Sequence, residues 1–536
     1  MKILFLLVLS VFFSFPLNLI CQNCLPFDGF IESQIEVDYI NLVYPDCSVI
    51  DGSLWITGDV TNLDSLYRIK KINGSLNILS TKIKDISGLN QIDSIKGYLH
   101  VRSNTLLESI TGLRNVTYLS SVVIDHNESL KEIATLDSVR NVGNHIIITE
   151  NPKLKSIHGL NNVATCRNIE ISNHDSLTML NAFNGVVNVE GQYKIFKNNA
   201  LKSWTTGTNV KFIKDNLSLS TNASVDTITG FDKLMYCKNL YLSGLKVKHL
   251  NNFNELEKTE YISIFNRYTL LSLDGFNSLK YCDRVAIQSN SNLKSIDGFN
   301  ALDSAGTIYI TGGLSGLESI NGFNKLQYAE DIFIQDNYNI KQFTAFANLK
   351  RINYLYIDRL GGTFDNFNNF SNLTDIDNKL TIIRMINDLN DLSGFKNVNY
   401  KKLKVLNIYN NKNISMCNIY SICKYLEENS GISNIYDNKP GCYNRDEILE
   451  SCRAVNTDDY KDIHLSLYPN PTSGILNFET PNNETIDLRI YNSLGQEINF
   501  SRNGKNVDIS NQKSGIYYVN YSHKSIRHYQ KIVLLR

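Results

Sequence analysis

The chain has 536 residues, with 53 basic and 53 acidic side chains and therefore no formal net charge. No block of like charge stands out along it. That excludes the basic stripe of a nucleic-acid binder and the cationic patch of a protein that sits on an anionic membrane.

The N-terminus, MKILFLLVLSVFFSFPLNLICQN, carries Lys2 ahead of a nearly unbroken apolar run from Ile3 to Phe15, and then Pro16. This is the pattern of a secretory signal peptide over residues 1–21. A lipid-anchor reading of Cys21 is disfavoured because Ile20 stands before it, where a small residue is needed. Removing the segment takes Lys2 away and leaves a mature chain of net charge −1, with no second apolar stretch and so no transmembrane anchor. Ten cysteines in an exported chain point to disulfides.

Cys24 and Cys47 bracket a segment, residues 24–51, that precedes a long repeat. From residue 52 to 411 one short phrase recurs about fifteen times with a period of about 22 to 25 residues, as in GYLHVRSNTLLESITGLRNVTYLS from Gly97. A period of that size predicts a solenoid whose units bury their apolar faces only against neighbours. Each unit opens on an apolar–x–apolar strand, such as Leu99-His100-Val101. An Asn follows three residues later (Asn104, Asn127, Asn151, Asn198, Asn222, Asn290, Asn337, Asn411). Asn in that place turns the chain and can bond its stacked copies, a structural ladder rather than a ligand set. A Gly-Leu or Gly-Phe step, as in Gly275-Phe276 and Gly298-Phe299, is expected to turn a second corner on a left-handed glycine, with the next apolar side chain in the core. The fold class is all-β: a right-handed parallel β-helix, or leucine-rich-like solenoid, of fifteen to sixteen turns and about 75 Å length at ~4.8 Å per turn.

Cys166, Cys237 and Cys282 share one repeat column but are three and two repeats apart, too far for disulfides. They are expected to be free, buried thiols. The outward residue of each first strand forms another column, from Trp55 to Asn407. It contains one run of aromatics on consecutive turns, Tyr309, Phe333 and Tyr356. The run reads first as a stacking ladder that stabilises the sheet, and second as an exposed aromatic face for a ligand, with sugars as natural partners. Glu170 and Lys194 in the same column read as a surface ion pair. The sequence has no H-E-x-x-H, G-x-S-x-G or phosphate loop, and no cofactor is expected.

Residues 412–452 form a cysteine-rich closing unit. NIYSICKYLEEN has helical spacing, and Cys417, Cys423, Cys442 and Cys452 allow three disulfide pairings. A polar linker, 453–464, leads to residues 465–536, where short alternating strands and turns such as Pro-Asn-Pro and Ser-Gly predict a small Ig-like β-sandwich.

Two resemblances follow from these residues. The spacing of Cys24 and Cys47, followed by IDGSLWITG, and the segment NKPGCYNRDEILESC resemble bacterial surface proteins of the receptor L-domain, leucine-rich-like type. That resemblance implies a binding or adhesion role and no catalytic residues; the alternatives are a structural matrix component and, third, a β-helix enzyme acting on polysaccharides. The words YPNPTSG, IYNSLGQ and SGIYYV closely resemble the type A C-terminal sorting domain of the type IX secretion system. Pro469, Asn470, Pro471, Gly474, Gly495 and Gly515 carry that likeness. It implies recognition by the type IX translocon, and display at the cell surface or release outside the cell, toward an extracellular glycan or protein ligand.

Overall fold

The computed structural model describes residues 24–25, 28–265, 268–313, 315–428, 430–454, 466–479, 487–493, 495–504, 506–523 and 526–535. The expected signal peptide and nearly all of the expected linker lie outside these residues. The chain divides into two compact units, residues 1–451 and 452–536.

The first unit is a parallel β-solenoid of about 18 turns. That exceeds the fifteen to sixteen expected, because each end contributes a rung that lacks the repeat phrase. Gly29–Ser33 pairs in parallel with Leu54–Asp59, and Ile432–Tyr436 pairs in parallel with Val405–Tyr409. Between these ends the first strands of all repeats form one continuous parallel sheet. Its inward pairs, such as Leu99 and Val101 or Ile308 and Ile310, are fully buried. Short strands build the second side, for example Ser295–Ile296 on Ser319–Ile320. The third side consists of two-residue strands early in the chain. From Phe212–Ser220 to Asp375–Ile383 it fuses with the first strand of the next turn into strands of 8 to 13 residues.

The asparagine ladder lines the first corner. All eight of the expected asparagines are buried. Asn127 is representative: its side-chain amide donates to the Val101 and Asp125 carbonyls and to Asn151 Oδ1, each at 3.0 Å, and Asn104 donates to it in turn. His174 takes one place in the ladder, and Thr81 and Asn438 end its two stretches. The residue just before each ladder position takes the left-handed backbone conformation: Ser103, His126, Glu150, Lys197 and Ser289 all lie between +53° and +58° in φ.

The second corner meets the expectation at some steps and differs at others. Gly159 and Gly230 are left-handed, with φ of 114° and 92°, but at Gly275-Phe276 and Gly298-Phe299 the left-handed residue is the aromatic one, with φ of 65° and 63°. The glycine is there for space: a Cβ on Gly298 would stand 2.3 Å from the Gly275 carbonyl oxygen of the turn below. Turning the ring inward at this corner stacks Phe253, Phe276, Phe299, Phe323 and Phe346 down the core, with centroids 4.9 to 5.4 Å apart.

Cys166, Cys237 and Cys282 are free and buried in this core. Burial pushes each thiol up to about 12. Cys24 is bonded to Cys47 and Cys417 to Cys442, while Cys423 and Cys452 are also disulfide-bonded. Three α-helices occur among the described residues. α1, Gln34–Val43, begins where the Glu36 carboxylate accepts from the Ser33 backbone N–H at 3.0 Å. α2, Tyr420–Glu428, falls on the expected helical segment, and α3, Arg445–Ala454, follows it. α1 and α3 were not anticipated, since each is a single short amphipathic stretch beside strands and cysteines.

The second unit holds two four-stranded antiparallel sheets. One apolar cluster joins them, with Leu476, Ile490, Ile509, Ile532 and Leu534 fully buried.

Candidate ligand face and sorting tail

Side chains alternate along a strand, so each first strand sends every second residue to the outer surface of the long sheet. The pairing register places Tyr309 beside Phe333 and Phe333 beside Tyr356. The first two rings stack at 5.0 Å with planes 7° apart, and Tyr356 tilts 47° at 5.8 Å. All three are partly exposed. The faces of Tyr309 and Phe333 that meet are therefore already occupied, which leaves ring edges and outer faces for a partner.

Tyr354 belongs to the same surface and was missed. It lies two residues before Tyr356 on the same strand, hence on the same side, and packs edge-on against both Phe333 and Tyr356 at 5.3 and 5.9 Å. The signal lies in the neighbouring outward column of the same strands. Lys379, paired with Tyr354 on the next turn, brings its ammonium 5.0 Å from the Tyr354 ring centre. A smaller copy of this motif occurs earlier, with Tyr241 edge-on to Tyr261 at 5.6 Å and the Arg284 guanidinium 5.8 Å from the Tyr261 ring.

A charged border runs beside the aromatic group. Asp358 is fully buried, and Arg384 grips it with two hydrogen bonds of 2.9 and 2.6 Å. The Tyr356 hydroxyl donates to Asp358 at 3.0 Å. Burial, with the Asp358 charge, pushes the Tyr356 phenol up to about 12. Arg359 links Asp358 to Asp336. These contacts fix Tyr356 and leave Arg384 partly exposed at the rim.

Elsewhere on the outer surface His100, Arg102 and His126 converge on Asp125. Burial pushes that carboxyl up, but the hydrogen bonds from His100 and His126 and the Arg102 charge outweigh it and hold Asp125 below its usual range. Glu170 and Lys194 sit on adjacent turns, as expected, but make no ion pair; the Glu170 carboxylate accepts a bond from Ser172 instead. Among the described residues no group of three His, Cys, Asp or Glu side chains is arranged to hold a metal, and no helix is long and apolar enough to cross a membrane.

In the tail, Pro469, Asn470, Pro471 and Gly474 form the turn between Ser466–Tyr468 and Ile475–Glu479. Asn470 clasps the final strand, Ile526–Leu534: its amide donates to the Lys531 carbonyl and its oxygen accepts from the Val533 N–H, both at 2.9 Å. Thr472 continues the same contact through Val533 and Leu535. The motif thus covers the free edge of the last strand, and the prolines on either side of Asn470 have no N–H to satisfy. Gly495, with φ of 78°, turns the chain between Asp487–Asn492 and Glu497–Ile498, and Gly515 opens the strand Gly515–His523.

Comparison with known families agrees with this division. Residues 46–163 match the receptor L domain family, and residues 466–535 match the secretion system C-terminal sorting domain family. Among solved structures the chain is similar to a leucine-rich repeat protein from Bacteroides ovatus ATCC 8483. Identity is 14% and the TM-score 0.24, over 60% of this chain and 83% of that one. No curated protein matches it. The solenoid is thus similar to receptor L domains over residues 46–163, and the second unit is similar to secretion system sorting domains over residues 466–535. Neither matched family is enzymatic.

Proposed function

We propose that the protein is an exported, adhesin-like binding protein, displayed on the cell surface or released, that acts by recognition and not by catalysis. The type IX translocon would receive it through residues 465–536 after removal of a signal peptide over residues 1–21. Its ligand, an extracellular glycan or protein, would bind on the outer sheet surface at Tyr309, Phe333 and Tyr356, with Tyr354 as a fourth contact. The observation that carries this reading is the cluster of partly exposed rings on adjacent turns, bordered by the Arg384 guanidinium. Aromatic side chains that keep exposed surface beside a polar group are the usual anchors of recognition.

The test is a glycan and protein array probed with the wild type and with the Tyr309→Ala, Tyr356→Ala double variant. Binding that is lost in the double variant supports the assignment; binding that is unchanged overturns it. A separate experiment addresses export. Deletion of residues 465–536 should hold the protein in the periplasm, and normal surface display of the deletion would refute the sorting role.

One observation favours a second reading, that of a structural surface or matrix component. Tyr309 and Phe333 cover each other's faces, as a purely stabilising ladder would. No binding by the wild type to any array would select this alternative.

A further inference from the structure

A solenoid needs terminal caps with a polar outer face, or its ends associate. The N-terminal cap breaks that rule. α1 turns Val37 and Ile40 into the core, and the opposite side of the same helix is also apolar. Ile35 is 69% exposed, Tyr39 55%, Leu42 74% and Val43 61%. At about 100° per residue these four helical positions fall within an arc of roughly 100°, a width typical of a helix face that packs against something.

The helix is not loose. The Gln34 side-chain oxygen accepts from the Thr61 and Asn62 backbone N–H groups at 2.8 and 3.0 Å, and the Asn41 amide donates to the Ser65 carbonyl at 2.8 Å. The apolar stripe is thus held outward on a fixed support.

Charge decides what can cover it. Between Cys24 and Tyr67 there are eight carboxylates and no Lys, Arg or His; from beyond that window Lys82 pairs with Asp59, and Arg68 donates to the Pro45 carbonyl. Asp38 stands at one border of the stripe and Glu36 at the other, both exposed. A second copy docked on the same face would set these acidic borders against one another, and an anionic bilayer would be repelled in the same way.

We infer that this face docks a basic, amphipathic protein segment, one whose apolar side chains are flanked by Lys or Arg. The apolar stripe supplies the contact area, and the carboxylates select the sign of the partner. This surface is distinct from the aromatic sheet face, and it stands whether or not that face binds a ligand.

The probe is a fluorescent 14-residue peptide of leucine and lysine with helical spacing, with the leucine–glutamate peptide of the same pattern as control. Both are titrated against the full chain and followed by fluorescence anisotropy. The leucine–lysine peptide should bind and the glutamate peptide should not. The Ile35→Ser, Leu42→Ser double variant should weaken binding at least tenfold. Because both residues are exposed, its disulfides and far-UV circular dichroism should match the wild type. A charge-only variant, Asp38→Asn, should weaken binding about twofold or more at low salt. Equal binding by wild type and double variant, or equal binding of the two peptides, would overturn the inference. So would a wild-type dimer, seen by sedimentation, that the double variant abolishes, or binding to phosphatidylglycerol vesicles that the double variant loses.

Discussion

Phe276 and Phe299 stack inside the coil, and Tyr309 and Phe333 stack outside it. The centroid spacings are 4.9 and 5.0 Å and the interplanar angles both 7°. Matching geometry at an inner corner and on the outer sheet surface shows that the rise of the solenoid sets the spacing, and attraction between rings does not. The energetic meaning of the two stacks differs because water reaches only one of them. The inner rings are fully buried and fill the core; the outer rings remain partly exposed. Removing a ring from each stack should separate the two roles.

The largest effect is expected inside. Phe299→Ala removes a fully buried ring stacked on both neighbours and leaves a cavity in a core that cannot collapse, because the turns above and below fix its walls. A loss of about 3–5 kcal/mol is expected. The measurement is the shift of the urea unfolding midpoint, and a shift corresponding to less than ~1 kcal/mol would show that the inner stack is not a packing element.

The next effect concerns the other buried ladder. His174 stands where neighbouring turns have Asn. Its Nε2–H donates to the Ile148 carbonyl at 3.0 Å, and in the neutral form Nδ1 accepts from the Asn151 N–H at 3.2 Å, with the Asn151 carbonyl oxygen also 3.2 Å away. Burial pushes its pKa down from 6.5 to about 4, against the favourable backbone hydrogen bonds. The unfolded chain then binds the proton more readily than the folded one. The stability of the neutral form is complete above pH 6.5 and falls as the pH drops from 6.5 toward 4. The loss across that window is on the order of 3 kcal/mol. Urea midpoints measured between pH 7 and 4.5 should fall for the wild type and stay nearly flat for His174→Asn, whose amide suits the ladder. Equal pH slopes for the two proteins would refute the assignment. Asn127→Ala comes next. It takes the side-chain donor from the Val101 carbonyl, while the Asp125 carbonyl keeps the Ser103 N–H, at a cost of about 1–3 kcal/mol. Thermal unfolding of Asn127→Ala beside the wild type measures it.

The repeat made most of this legible in advance. Period-two apolar pairs and a recurring Asn are backbone-level signals, so the strand column and the ladder could be read from residue types alone. Three things could not. The two extra rungs come from Gly29–Ser33 and Ile432–Tyr436, which pair by position at the ends of the stack and carry no repeat phrase. The role of the glycines at the Gly-Phe corners depends on how close the next turn approaches, which a one-dimensional pattern does not record. The acidic, apolar-faced N-terminal cap was hidden by chain-wide charge balance, since the missing cations lie elsewhere in the sequence. On the candidate ligand face the three rings were found by reading one column. Tyr354 was not, because a strand shows two or three outward columns and ligand contacts need not stay in one.

The smallest stability change is expected outside, and it is the one that tests function. Phe333→Ala removes a ring of the same size as Phe299 from the same kind of stack. Here the neighbours Tyr309, Tyr354 and Tyr356 are partly exposed, and water can fill the gap. The stability cost should be about 1 kcal/mol or less, the value of a cross-strand aromatic pair. If these rings are a recognition surface, ligand binding should fall by more than tenfold in a variant that is almost as stable as the wild type. If they are only a ladder, stability and binding will both be nearly unchanged. A loss of 3 kcal/mol or more from Phe333→Ala, comparable to the inner stack, would mean that the outer rings are core in all but position, and the distinction between the two stacks would fail. Measuring the unfolding midpoint and the array signal on the same preparation separates these three results.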